Sequence, residues 1–172
     1  MRKELEKRLS YLYTGESIAI VGFIIVSFLL NRANPQLQLY SLTSFWVSFF
    51  LLEFLLVQGS MYWYSKWRRL KSENISVTPI SMVHRLKKVQ KWNIGLMIVP
   101  PFMFVFDFVK WYPSLPLSGL YLSGFIYIFA ILEYINYFHI QLSYDNRSDM
   151  KNLFKSKKLK QASLSKDFER IL

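Results

Sequence analysis

Four blocks of apolar residues, each long enough to cross a bilayer, constrain this 172-residue chain more than any other feature. A transmembrane helix needs about 20 predominantly apolar residues in a row, whereas a soluble amphipathic helix or strand alternates apolar with polar positions. The composition agrees, because 52% of the residues are hydrophobic and 18% are aromatic. We therefore predict an all-α, polytopic membrane protein with four transmembrane helices in an antiparallel bundle. The predicted spans are about 11–31, 40–64, 92–111 and 118–142.

The distribution of basic residues predicts how these spans are oriented. All but two of the 22 Lys and Arg residues lie in the N-terminal segment, in the 65–91 loop or in the 146–172 tail. The exceptions are Arg32 and Lys110, in or beside the turns on the opposite side. Because Lys and Arg accumulate in cytoplasmic loops, we predict a cell-membrane protein with both termini and the 65–91 loop in the cytoplasm. Topology then accounts for the net charge of +11, and nucleic acid is not predicted as a partner.

The chain is predicted to form one membrane domain over 1–145 and a basic cytoplasmic tail over 146–172. Each basic residue near an anionic leaflet contributes on the order of 1 kcal/mol of binding. Apolar residues Leu164, Phe168 and Ile171 also mark one face of a helix in the tail. We predict contact with anionic lipid headgroups, and leave open a protein partner that binds the loop or the tail. The high content of Lys, Ile, Asn and Phe is typical of an AT-rich bacterial genome.

The 65–91 loop is predicted to contain a short amphipathic helix. Thr78 and Pro79 form a helix start, with Thr as the cap and Pro at the first helical position. The apolar face then carries Met82, Leu86 and Val89, while basic residues cover much of the remainder. Such a helix lies at an anionic membrane surface and leads into the third span.

Four polar residues within or next to the spans form the candidate site. Glu53 is near the middle of the second span, Glu133 and Asn136 share one face of the fourth, and His139 follows. A charge at a helix centre costs roughly 2.5–3.5 kcal/mol on insertion scales, so such residues are functional candidates by default. The interpretations are a hydrogen-bond network that fixes helix register, a proton or ion relay, and a metal site using His139 with both glutamates. We favour the network, and predict no metal and no other cofactor.

Other features of the spans give smaller predictions. Asp107 and Lys110, at i and i+3 near the outer end of the third span, are expected to form an ion pair. Pro100 and Pro101 remove two backbone donors from the middle of that span, so the carbonyls they leave unpaired need partners inside the bundle.

Small residues recur in the first span at Gly15, Ala19 and Gly22. Small residues at this spacing let two helices approach closely, and we expect packing within the chain in preference to a dimer interface. The charged start of the chain also resembles the beginning of a signal peptide. Residues 31–35 offer no small-residue cleavage site, however, so we expect the first span to be retained.

The sequence predicts architecture in more detail than activity. It has no cysteine and none of the common catalytic or nucleotide-binding motifs. The favoured hypothesis is a non-enzymatic accessory or regulatory membrane component. The alternatives are a small homo-oligomeric, proton- or ion-coupled transporter or channel using Glu53 and Glu133, and a membrane enzyme with Glu133 and His139 as its acid–base pair.

Overall fold

The computed structural model describes residues 2–142 and 159–170, and this part of the chain is helical. Four helices are long and apolar enough to cross a membrane, which confirms the predicted number of spans. Two 3-10 turns, Pro35–Leu37 and Leu39–Ser41, join the first helix to the second. The helices are α1 Arg2–Ala33, α2 Thr43–Glu73, α3 Ile80–Trp111, α4 Leu117–Phe138 and a short α5 Ser163–Glu169.

The predicted 65–91 loop is mostly helical. Helix α2 continues through Lys66 to Glu73, and α3 begins at Ile80, directly after the predicted Thr78-Pro79 start. The predicted amphipathic segment is therefore the first part of α3 and is continuous with it. Its buried apolar residues are Val83 and Leu86, which join the core of the bundle.

Helix α2 lies at the centre of the bundle and packs against α1, α3 and α4. Within the most apolar window of each helix, 61% of the α2 residues are buried, against 6% of the α1 residues. Helix α2 buries apolar and small residues over much of its circumference, and leaves a narrower side exposed that includes Phe50, Val57 and Met61. Helix α1 instead turns a broad apolar surface outward, which suits a helix in contact with lipid.

One end of the bundle, which we name the closed end, is filled with apolar side chains. Leu39, Leu42, Phe45 and Phe49 form a buried cluster there, with the rings of Tyr40 and Trp46 packed against it. Tyr40 also lies beside α1, with its hydroxyl 3.2 Å from that of Ser27.

Asp107 caps the first turn of α2 at the closed end. Its carboxylate accepts hydrogen bonds from the backbone N–H groups of Thr43 (3.1 Å) and Ser44 (2.7 Å). Lys110, the predicted ion-pair partner of Asp107, is exposed, and its ammonium lies 5.7 Å from the ring centroid of Trp111. In the structure, therefore, Asp107 contacts the backbone of α2 and Lys110 lies near the Trp111 ring. The unpaired N–H groups and the positive end of the α2 dipole explain why the carboxylate points inward.

The Pro100-Pro101 pair lies inside α3, which continues through it. Pro101 has no N–H to donate to the carbonyl of Met97, four residues earlier. That carbonyl accepts a hydrogen bond of 2.8 Å from the Tyr127 hydroxyl of α4, so the prediction of a partner inside the bundle is confirmed here.

A pair of buried amides joins α2 to α3. Gln58 donates to the side-chain oxygen of Asn93 over 3.0 Å, and Asn93 donates back over 2.8 Å. Two reciprocal hydrogen bonds satisfy both side chains away from water and fix the relative position of the two helices.

The predicted small residues of α1 do not make the predicted close contacts. A Cβ atom added at Gly15 or Gly22 would have no other atom within 4 Å, although Ala19 packs against the core. The close approaches occur instead at Gly59 on α2 and Gly119 on α4, where an added Cβ would overlap neighbouring atoms.

Candidate binding cavity

A cavity of about 470 Å³ lies at the other end of the bundle, which we name the cavity end. It is enclosed by α1, α2, α4 and residues 159–170, which we call the C-terminal segment. Along the helices its lining changes from apolar, through a level with two carboxyl groups, to a basic rim. The apolar level includes Ala19, Phe23, Leu56 and Phe129, the carboxyl level Glu16, Trp63, Glu133, Asn136 and Tyr137, and the rim Arg8, Lys66, Lys160 and Lys166.

Glu16 of α1 is held in the cavity by donors from two other helices. The indole N–H of Trp63 donates to one carboxyl oxygen over 3.0 Å, and the Tyr137 hydroxyl donates to the other over 2.6 Å. Gly59 makes this arrangement possible, because a side chain at that position would occupy the space of the Glu16 carboxyl and the Tyr137 ring. The site therefore depends on one residue or more from each of α1, α2 and α4.

Glu133 and Asn136, predicted to share a face of α4, both line the cavity. The Asn136 amide donates to Glu133 over 3.3 Å, and its oxygen accepts from the backbone N–H of Leu142 over 2.8 Å. His139 follows the last residue of α4, and its exposed ring packs edge-on against Tyr134. The structure therefore brings Glu133 and Asn136 together, whereas the His139 ring is not among the groups that line the cavity.

Glu53 is buried elsewhere. Both of its carboxyl oxygens are inaccessible and have no hydrogen-bond partner in the described part of the chain. Ser60, seven residues later on the same face of α2, makes a 2.9 Å hydroxyl contact with Ser17, which places that face toward α1. The described lining of the cavity includes Glu133 but not Glu53, so the two glutamates do not share this cavity.

The C-terminal segment is attached beside the cavity by the buried carboxylate of Asp167. One oxygen accepts from the hydroxyls of Tyr62 (2.7 Å) and Thr78 (2.6 Å) and lies 3.6 Å from the Lys66 ammonium. The other accepts from Arg170 over 3.2 Å. One carboxylate thus links α2, the α2–α3 turn and α5.

Apolar and backbone contacts complete the attachment. Leu164 and Phe168 are buried in the core of the bundle, and the Phe168 ring lies 6.1 Å from that of Phe138. Ile140 and Gln161 form an antiparallel bridge between the end of α4 and the segment. The predicted apolar face of the tail is therefore used within the chain, except that Ile171 lies outside the described residues.

Sequence reasoning missed most of this site. Glu16 lies within the predicted first span, but no role was assigned to it, to Trp63, to Tyr137 or to Asp167. Two signals in the sequence could have found the site. One is the carboxyl of Glu16 beside Gly15 in an apolar span, and the other is Asp167, an acidic residue next to Phe168 in a basic tail. Each signal identifies a candidate residue but does not predict which residues hydrogen-bond to it.

The arrangement can bind a molecule that has both apolar and charged parts. Among the described residues, no group of three His, Asp or Glu side chains could hold a metal ion, so the trio of Glu53, Glu133 and His139 is not assembled. No protein-family model matches the sequence, and none of the curated proteins or solved structures compared with it matches either. The functional argument therefore uses the geometry of this chain alone.

Proposed function

We propose that this chain is a bacterial cell-membrane protein with both termini and the 65–91 segment in the cytoplasm, acting as a non-enzymatic accessory or regulatory component. In this orientation the cavity end is cytoplasmic. The proposal is supported by the basic residues, because the segments that meet at the cavity end hold most of those in the described part of the chain. The exposed basic residues of the 65–91 segment and of the rim then lie where anionic lipid headgroups are available.

The proposed antiparallel arrangement is supported by contacts between α1 and α2. The Tyr13 ring packs against Tyr64, with ring centroids 5.6 Å apart, while Ser17 contacts Ser60. As the residue number rises along α1, the number of its partner falls along α2. An even number of spans joined by short turns then returns the C-terminus to the side of the N-terminus.

The observation that carries the proposed role is the attachment of the C-terminal segment at the mouth of the cavity. Lys160 and Lys166 belong to the segment and also line the cavity, so its position controls access from that side. The segment is held by one buried carboxylate, by two apolar side chains, Leu164 and Phe168, and by the backbone bridge between Ile140 and Gln161. A small contact of this kind can exchange with a protein partner or respond to a ligand, as a regulatory component requires.

Affinity purification from native membranes in a mild detergent tests this role. The full chain is compared with a truncation after residue 158 and with Glu53→Gln, a control outside the cavity end. We expect a second protein to co-purify in fixed ratio with the full chain and with Glu53→Gln, and to be lost on truncation. Elution of the full chain by itself as a defined homo-oligomer would contradict the proposal.

The second candidate is a small homo-oligomeric, proton- or ion-coupled transporter or channel. The buried, unpartnered carboxyl of Glu53 and the carboxyl of Glu133 in the cavity favour it. A route between these two groups would have to form in another conformation or between copies of the chain. Flux into liposomes that is unaltered by Glu53→Gln with Glu133→Gln would end this candidate.

A further inference from the structure

We propose that a groove between α1 and α2, outside the cavity, binds the headgroup of one anionic phospholipid. This deepens the general lipid contact proposed above into one site of defined residues, and it rests on the orientation proposed there, which places the groove in the cytoplasmic leaflet. The basic residues of the groove, its aromatic base and the apolar surface that continues from it into the membrane support this assignment.

The groove lies on a different face of α1 from the cavity. Its polar lining on α1 recurs at intervals of three and four residues, which places it on one side of the helix. This lining consists of Lys3, Lys7, Ser10 and Thr14, and α2 adds Trp67. Glu16, Ala19 and Phe23 line the cavity from the opposite side of the same helix. The groove is therefore separate from the cavity.

Three lysines give the groove a positive charge. Lys3 and Lys7 line it from α1, while Lys71 lies one turn beyond Trp67, with its ammonium 5.0 Å from the centroid of that ring. All three lysines are exposed, and in the described part of the chain none of them forms an ion pair. Glu6 is the acidic residue of the described lining. Basic pockets of this kind between transmembrane helices on the cytoplasmic side bind lipid headgroups.

Aromatic rings join α1 to α2 at the level expected for the membrane surface. The Trp67 ring packs against Tyr13 of α1 and Tyr64 of α2, with centroids 5.3 Å and 5.9 Å apart. Tyr and Trp concentrate at the membrane–water interface, and Tyr64 ends the predicted second span. Lys71 lies seven residues beyond Tyr64, about 10 Å along the helix axis at 1.5 Å per residue. Its long side chain can reach back to a phosphate at the interface.

The surface next to the groove on the membrane side is apolar and exposed. Ile18, Val21 and Ile25 continue the face of α1 that lines the groove, and Phe50 and Val57 precede the α2 lysine at intervals of seven residues. A phospholipid with its phosphate among the lysines can lay its acyl chains along this surface. A soluble anion gains nothing from it, so the groove suits a lipid better than a free phosphate.

The experiment measures lipid binding to the purified full chain in neutral maltoside micelles by native mass spectrometry. Phosphatidylglycerol and phosphatidylcholine with the same acyl chains are compared, and glycerol phosphate is added as a soluble competitor. We expect one phosphatidylglycerol to bind about tenfold more tightly than phosphatidylcholine, and glycerol phosphate not to displace it. Equal binding of the two lipids would overturn the proposal, and so would displacement of the lipid by the soluble anion.

Charge variants of opposite sign locate the binding in the groove. Lys3→Gln with Lys7→Gln and Lys71→Gln should weaken phosphatidylglycerol binding about tenfold. Glu6→Gln should instead tighten it about threefold, because it removes the negative charge next to the phosphate. A substitution that only disturbed the fold would not tighten binding. If neither variant changed the affinity, the assignment would be wrong.

A matched control separates this site from a general attraction to basic residues. Arg85→Gln with Lys88→Gln and Lys91→Gln removes three positive charges from exposed positions of α3 and should leave binding unchanged. An equal loss in the two triple variants would overturn the site. The measurement needs no protein partner, so its failure is distinct from the failure of the co-purification that tests the accessory role.

Discussion

The two ends of the bundle use buried carboxylates in different ways. At the closed end, Asp107 is fully buried and accepts from two backbone N–H groups of α2. At the cavity end, Glu16 and Asp167 accept from side chains of separate elements next to an open volume. A carboxylate bound by backbone donors fixes the fold, whereas one bound by side chains around a cavity leaves groups available for a ligand or for movement.

The largest expected effect comes from Asp167→Ala, which should release the C-terminal segment. Removing one partner of a buried, charged network costs about 3–5 kcal/mol. Because the chain has no cysteine, Ala162→Cys introduces a single thiol at a position that is 2% exposed. We expect this thiol to react slowly with a maleimide in the parent chain and rapidly once Asp167 is replaced.

Glu169→Gln is the matched control for that experiment. Glu169 lies on the same short helix, and its exposed side chain accepts from Gln161. Labelling at Ala162→Cys should therefore stay slow in this variant. A rate that is the same with and without Asp167 would show that its carboxylate does not hold the segment in place.

Asp107→Ala should lower stability without changing the cavity. It leaves the N–H groups of Thr43 and Ser44 without their acceptor, at about 1–3 kcal/mol for each group that stays buried. Thermal unfolding in detergent measures the loss, and Lys110→Ala, an exposed change one turn away, is the control. If Asp107→Ala left the unfolding temperature unchanged and made the thiol of Ala162→Cys react as fast as it does without Asp167, the proposed difference between the two ends would be wrong.

Gly59→Ala should disturb the carboxyl level of the cavity. The added methyl group would overlap the Glu16 carboxyl and the Tyr137 ring, and such overpacking costs about 1–3 kcal/mol. Gly22→Ala, in open space on α1, is the control and should be neutral or stabilising by about 0.5–1 kcal/mol. Equal unfolding temperatures for the two variants would mean that Gly59 does not provide the space for this site.

The smallest expected effect is that of Tyr127→Phe, which removes the hydrogen bond to the Met97 carbonyl between the two ends. We expect the free energy of unfolding to fall by about 1 kcal/mol, because the Met97 carbonyl, which has no helical donor at Pro101, loses its hydrogen bond from an uncharged hydroxyl. Tyr121→Phe, at a side chain that is 76% exposed, should have no effect on thermal unfolding. Matching behaviour of the two variants would show that the Met97 carbonyl finds another donor.

The sequence predicted the features that depend on local pattern. The four spans follow from runs of apolar residues, the start of α3 from Thr78-Pro79, and the neighbouring positions of Glu133 and Asn136 from helical spacing. Glu16 and Tyr137 are 121 positions apart, and Tyr62 and Asp167 are 105 positions apart. Such pairs result from how the helices pack, which the periodicity of one sequence does not encode. The same limit explains why Asp107 was paired with Lys110, its neighbour along α3.

The central claim, that the C-terminal segment closes the cavity end of its own chain, is tested most directly by a disulfide. Ile140 and Gln161 form an antiparallel bridge flanked by hydrogen bonds from Gln141 to Lys160 and from Ala162 to His139. Residues at such a non-hydrogen-bonded position have Cα atoms about 4.5 Å apart, within the range for a disulfide. Because the chain has no cysteine, the double variant Ile140→Cys with Gln161→Cys contains only the two introduced thiols.

In native membranes under mild oxidation, we expect rapid formation of a disulfide within one chain, detected as a monomer with no free thiol. Pairing Ile140→Cys with Ala33→Cys, on an exposed residue at the opposite end of α1, should give no such product. Free thiols in the first variant, or a disulfide-linked dimer in place of the closed monomer, would contradict the account.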